Sequence, residues 1–215
     1  MTSVSNITIR KYFPQDRVAV RRISCQTSFL GHPELFLTNQ EIVADALTIY
    51  FTDYEPQSCF VAVENNVVIG YIIGSKDLER MILVFYKRIL WKYIQKIFRH
   101  LDGQILKLLW AAFLSLLKGE FWAPDFHKKY PAILHINIDQ NYRKLGVGAR
   151  LLQSYENYLK ENKIPGVHLG TMSDKAKEFF AKNGFAVLYK SRRSYLYYKL
   201  GVVAPVYVMG KTLLK

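Results

Sequence analysis

The residues with the most readable chemistry form one stretch, His135-Ile136-Asn137-Ile138-Asp139-Gln140-Asn141-Tyr142-Arg143-Lys144-Leu145-Gly146-Val147-Gly148-Ala149-Arg150. Ile133, Leu134, Ile136 and Ile138 read as a β-strand. From Gly146 to about Asn162 an amphipathic helix follows, with Gly148, Leu151, Leu152, Tyr155 and Leu159 on one face. Between them lies a short basic loop with two glycines. Glycine lets a backbone approach a ligand closely and leaves its amides free. Amides at a helix N-terminus, with the helix dipole behind them, form an anion site. Arg143, Lys144 and Arg150 add positive charge around it, so a pyrophosphate is the guest this loop predicts.

The stretch Arg143-Lys144-Leu145-Gly146-Val147-Gly148 resembles the acetyl-CoA-binding motif of the GNAT acetyltransferases, Gln/Arg-x-x-Gly-x-Gly/Ala between a strand and a helix. A second stretch, Ser173-Asp174-Lys175-Ala176-Lys177-Glu178-Phe179-Phe180-Ala181-Lys182-Asn183-Gly184-Phe185, resembles that family's Asn-x-x-Ala-x-x-Phe-Tyr-x-x-x-Gly-Phe. The resemblance implies a GNAT fold and N-acetyl transfer from acetyl-CoA to a primary amine, by direct attack in a ternary complex. It implies that the pyrophosphate lies on the amides of Leu145, Gly146, Val147, Gly148, Ala149 and Arg150, beside Arg143 and Lys144. It further implies that the strand splays from its neighbour at Val167–Thr171. Pantetheine would enter the split, and an amide near Ile136, Asn137 or Ile138 would polarise the thioester. Ser173, Lys177 and Phe180 are the implied cofactor-contacting positions of the second motif. Two departures stand out: Ser173 replaces the motif's Asn, and Phe180 replaces the Tyr that usually protonates the leaving thiolate. A catalytically weak GNAT-fold module that recognises a partner is therefore the alternative.

Acetyl transfer to an amine needs a base, because an alkyl ammonium of pKa about 10.4 is mostly unreactive at neutral pH. His135, which shares a strand face with Asn137, is the candidate base, since an unperturbed imidazole titrates near neutrality. A hydrogen-bonded structural histidine is the other reading. Asp174 is a second candidate, as base, as a group that orients the cofactor, or as the cap of the helix it opens. Gly148→Trp is the variant expected to block the cofactor loop without unfolding the domain. Cys25 and Cys59 have no metal-ligand spacing and read as buried free thiols, and no metal site is expected.

The elements that must position these residues read as β-α-α-β-β, an insertion, then β-α-β-α-β-β. This is an α/β (α+β) order, and the GNAT resemblance makes its sheet mixed and mostly antiparallel, flanked by helices. A first strand holds Ile7, Ile9 and Tyr12. A helix runs from Pro14 to about Leu30, and Asn39 caps a second through Phe51. Asn65-Asn66 turns a β-hairpin between 59–64 and 67–74. A strand at 185–189 and a last one at 205–213 complete the pattern, and 192–203 carries no decisive signal. The whole chain, 1–215, reads as one domain.

Residues 78–130 differ in composition, with ten bases against four acids in a chain of net charge +13. Arg88, Lys92, Lys96 and Arg99 make one helical stripe, and Ile82, Phe85, Ile89, Tyr93 and Ile97 another. Asp102-Gly103 is expected to end that helix, and a second carries Ile105, Leu108, Leu109, Ala112 and Leu116. This layout resembles the acetyltransferase-like C-terminal domain of O-GlcNAc hydrolases, which has a comparable helical insertion. Three roles fit the basic helix: a solvated lid face, a groove for an acidic substrate, or peripheral contact with an anionic membrane through Trp91, Tyr93 and Phe98. The acceptor is expected to be a small-molecule or protein amine. Helix-turn-helix, RRM and zinc signatures are missing, so no specific nucleic-acid partner is expected. The apolar stretch 105–117 is too short to span a bilayer. The N-terminus has no signal-like apolar run, so a cytoplasmic location is the default expectation. A monomer and a homodimer fit equally.

Overall fold

The computed structural model describes residues 7–214. Its strands are β1 (Thr8–Lys11), β2 (Phe60–Glu64), β3 (Val67–Ser75), β4 (Ala132–Ile138), β5 (Gly166–Thr171), β6 (Ala186–Arg193) and β7 (Ala204–Thr212). They form a seven-stranded sheet in the order β1-β2-β3-β4-β5-β7-β6. Only β4 and β5 pair in parallel, so the sheet is mixed and mostly antiparallel. The helices are α1 (Arg17–Thr27), α2 (Gln40–Tyr54), α3 (Leu78–Val84), α4 (Leu90–Arg99), α5 (Gly103–Leu117), α6 (Val147–Glu161), α7 (Asp174–Lys182) and the single turn α8 (Tyr197–Leu200).

Local chemistry sets most boundaries. Asn39 accepts from the Glu41 amide and caps α2. Asn65 and Asn66 both hold positive φ, which closes the β2–β3 hairpin tightly. α1 stops at Thr27, short of the expected Leu30, because Phe29 and Leu30 take positive φ. In the stretch without a sequence signal, β6 continues to Arg193, a turn and α8 follow, and Gly201 ends α8 in the left-handed region.

Two cores flank the sheet. One packs α6 and α7 against β4, β5 and β7, with Leu151, Leu152, Tyr155, Leu159 and Met209 at its centre. The other packs α1 against Tyr71, Ile73 and Val61. Cys59 lies in the latter and Cys25 in a smaller cluster, both as free thiols. Burial pushes the Cys59 thiol up to about 12, which leaves it unreactive.

The helical insertion sits between β3 and β4. α3 and α4 are joined by one π-helical turn, Phe85–Ile89. The expectation that Asp102-Gly103 ends the basic helix is corrected. α4 stops at Arg99, and Asp102 instead caps α5, accepting from the Gln104 and Ile105 amides. Tyr93 and Ile97 of α4, with Ile105 and Leu108 of α5, pack into a third cluster with Phe36, Leu37, Leu196 and Met172. Polar anchors reinforce this seating. Lys96 pairs with Asp45 of α2 at 2.5 Å, and Asp45 also pairs with Arg21 of α1. Buried Glu120 accepts from the Ser115 hydroxyl, from the Ser194 amide at 2.7 Å and from Ser194 Oγ at 2.9 Å. The insertion therefore covers the α1–α2 connection, the end of β5 and the turn after β6.

Candidate active site

β4 is hydrogen-bonded to β3 from Ile133 to Ile138, and β5 to β7 from Gly166 to Thr171. Toward each other, β4 and β5 pair only at Ala132–Val167 and Ile133–His168. Beyond that point the strands part, so Leu134–Ile138 and Leu169–Thr171 face each other with unpaired backbone edges. Such edges must find partners, and a ligand with an amide-bearing chain can supply them. Tyr155 of α6 donates to the Ile133 carbonyl at 2.7 Å, at the root of this notch, and makes a longer bond to the Ser75 carbonyl.

The start of α6 lies at the open end. Gly148 is buried, and a Cβ there would meet Ile138 Cδ1 and the Phe179 ring, each at 3.1 Å. The first turn of α6 is thus wedged between the end of β4 and α7. Gly146 and Lys144 take φ of +75 and +68, the bend that turns the loop into the helix. Asn39, Asp102 and Ser173 cap α2, α5 and α7, but no side chain caps α6. Its first amides lack intrahelical acceptors and are free for an anion. Leu145, Gly146, Ala149 and Arg150 are exposed around it. Arg143, Lys144 and Arg150 form no ion pairs among the described residues, and Arg143 Nε donates to the Ile138 carbonyl at 3.3 Å. These features fit a pyrophosphate-bearing cofactor.

On the face of the sheet toward α1, Tyr71 and Asn137 are direct cross-strand partners, and Asn137 Nδ2 donates to Tyr71 Oη at 2.8 Å. His135 Nδ1 lies 3.4 Å from the same hydroxyl. Burial drives Tyr71 up to about 12, so it keeps its proton and can donate toward His135. Burial moves His135 the other way, from 6.5 to about 4. The premise that His135 titrates near neutrality is therefore corrected: desolvation disfavours its cation, and the ring is neutral at physiological pH. The unfolded chain takes up a proton near pH 6.5 that the folded chain refuses. His135 thus contributes stability above about pH 6.5, and as the pH falls toward about 4 up to about 3 kcal/mol of it is lost. Urea midpoints should drop between pH 7 and pH 4.5, and His135→Gln should flatten part of that drop. An unchanged slope in the variant would contradict the assignment.

The second motif is arranged differently from expectation. Ser173 Oγ, rather than Asp174, caps α7, accepting from the Ala176 amide at 3.4 Å. Asp174 is exposed and accepts from Tyr207 Oη at 2.8 Å and from Lys177 Nζ at 3.0 Å. The Tyr207 bond, then Lys177, holds its carboxyl below the usual range, which makes it a poor proton acceptor. Lys177 also lies over the Tyr207 ring at 4.7 Å. Phe180 belongs to the core, packed edge-on against Phe179 and Phe185, and the ring against the α6 turn is that of Phe179. Sequence reasoning missed Phe179, Tyr71 and Tyr207. Tyr71 was findable in principle as an inward-facing aromatic on β3, but not its partners 64 and 66 positions away. His135 and Asn137 are brought together; Asp174 lies on another element, across the notch.

A mixed sheet whose two parallel strands part beside an uncapped, glycine-led helix is the architecture of the GNAT fold. The model of the Acetyltransferase (GNAT) family matches residues 31–185, and the chain belongs to that family. Mouse Protein O-GlcNAcase is 24% identical over an alignment of 193 residues that covers 86% of this chain and 20% of that protein. The chain thus spans about a fifth of that relative's length. The crystal structure of SsHAT superposes with a TM-score of 0.75 at 23% identity, covering 97% of this chain and 99% of that one. Salmonella typhimurium yncA, solved with its cofactor acetyl-CoA, gives a TM-score of 0.59 at 15% identity, covering 98% and 96%. These structural likenesses show a shared fold.

Proposed function

We propose that the protein is an N-acetyltransferase that carries an acetyl group from acetyl-CoA to a primary amine within a ternary complex. The observation that carries this reading is the parting of β4 from β5 beside the uncapped start of α6. Family membership and the acetyl-CoA named for yncA support the same cofactor. The amides of Leu145 to Arg150, with Arg143, Lys144 and Arg150, would hold the pyrophosphate. The unpaired β4 edge near Ile136, Asn137 and Ile138 would align the pantetheine and donate to the thioester carbonyl, and Ser173, Lys177 and Phe179 would border the opposite side. Bound acetyl-CoA would supply the activated acetyl group and the thiolate leaving group. Asn137 and neutral His135, held in place by buried Tyr71, would orient the amine from the α1 face. With its pKa near 4, His135 acts here as a hydrogen-bond acceptor rather than the final proton store. The amine would enter already neutral, so the rate should climb with pH toward the acceptor's own pKa.

The test is release of free CoA thiol from acetyl-CoA across polyamines, aminosugars and lysine peptides. Thiol release matched by acetylated product is expected, with an acidic limb that shifts with the acceptor's pKa. A limb at the same pH for every acceptor would assign the titration to the protein and return the base role to His135. Cofactor binding without thiol release for any amine would make the protein a CoA-holding recognition module.

A further inference from the structure

Among the described residues, 26 large apolar side chains are exposed, and 15 of them lie in 78–130, a quarter of the chain. They are concentrated on α5. At about 100° per residue, Leu106, Leu109, Trp110, Phe113, Leu116 and Leu117 fall on one continuous face. Leu108 and Ser115 on the opposite side, with Ile105 at one margin of the face, are already used against the domain. Two lysines, Lys107 and Lys118, project from one edge of the apolar face. On α4, Tyr93 and Ile97 point inward while Trp91 and Phe98 stay exposed, so α5 offers the broader apolar face and α4 adds two rings at most.

The positive charge of the insertion lacks counter-ions. Of the ten bases in 78–130, only Lys96 forms an ion pair among the described residues. The four acids are all engaged: Asp102 caps α5, Glu120 is buried, and Glu79 and Asp125 both face His127. A second copy of this chain would bring the same uncompensated cations against themselves. No described helix is long and apolar enough to cross a membrane. An apolar, Trp- and Phe-bearing helix face flanked by free lysines matches the interface of an anionic bilayer, where the rings reach the acyl boundary and the cations meet lipid phosphates.

We propose that α5 docks this protein on an anionic bilayer surface, with the Leu106–Trp110–Phe113–Leu117 face entering the headgroup boundary. The proposal is independent of the acetyl-transfer reading. The whole chain should co-sediment with phosphatidylcholine vesicles carrying phosphatidylserine and not with phosphatidylcholine alone. Raising the salt should weaken the association without abolishing it, because part of it is apolar burial. Tryptophan emission should shift to the blue on binding. The double variant Trp110→Ser, Phe113→Ser changes only exposed positions and should stay folded by circular dichroism. It should bind at least about tenfold more weakly and lose most of the shift. Absent binding to the phosphatidylserine vesicles would overturn the proposal. So would binding indifferent to the double variant, since α5 would then not insert. Self-association of the protein that the same variant abolishes, with no vesicle binding, would assign the face to a second copy instead.

Discussion

Ala149→Glu is expected to weaken acetyl-CoA binding by at least about a hundredfold, about 2.7 kcal/mol, while leaving the domain folded. Ala149 is exposed in the first turn of α6, beside the uncapped amides. A glutamate there suits the helix dipole and should leave stability unchanged or raise it by about 0.5 kcal/mol. The same carboxylate would occupy the anion site and repel a pyrophosphate. Binding and folding thus move in opposite directions, a signature that general damage does not produce. Gly148→Trp, attractive from sequence alone, is a worse probe. Gly148 is buried against Ile138 and Phe179, so a large side chain there would disturb packing along with the cofactor loop. Isothermal calorimetry paired with thermal melts reads both quantities. Full acetyl-CoA affinity in a folded Ala149→Glu protein would contradict the site.

Gly74→Ala should destabilise the domain by about 3 kcal/mol, although it adds a single methyl group. Gly74 lies on β3 opposite Leu134, and an added Cβ would collide with Tyr155 Oη and with the Ile133 carbonyl. The carbonyl is backbone, and the hydroxyl is buried and hydrogen-bonded to that same carbonyl, so neither can step aside cheaply. For a chain of this size the melting temperature should fall by roughly 6–12 °C. Tyr155→Phe in the Gly74→Ala background should not rescue it, because the ring carbon Cζ, 2.5 Å from the added Cβ, remains. Because these atoms form the root of the β4–β5 notch, Gly74→Ala should also weaken acetyl-CoA binding. A melting temperature within about 1 °C of the parent would contradict this packing.

Much of this arrangement was legible in local sequence. The Asn65-Asn66 turn, the Asn39 cap and Gly146 act through local backbone conformation and hydrogen bonds, so each boundary could be read within a few residues. The parting of β4 and β5 came from the family resemblance. The Tyr71–Asn137–His135 group joins strands more than sixty positions apart, and no local pattern reports such a pairing. Burial there also moves His135 away from the near-neutral titration expected of it. Periodicity located the apolar stripes of α4 and α5 but not which of them would be covered. That depended on the third cluster, built from α1, α2 and the turn after β6. The segment 192–203 was opaque because its short turns are held by tertiary contacts, such as those of Leu196 and Leu200, rather than by propensity.

The most direct test of the central claim is calorimetric titration of the purified protein with acetyl-CoA, with CoA alongside. Micromolar, one-to-one binding of both, weakened by added pyrophosphate, is the predicted result. No heat of binding from a folded protein would contradict the cofactor site at the start of α6, and with it the assignment of acetyl transfer.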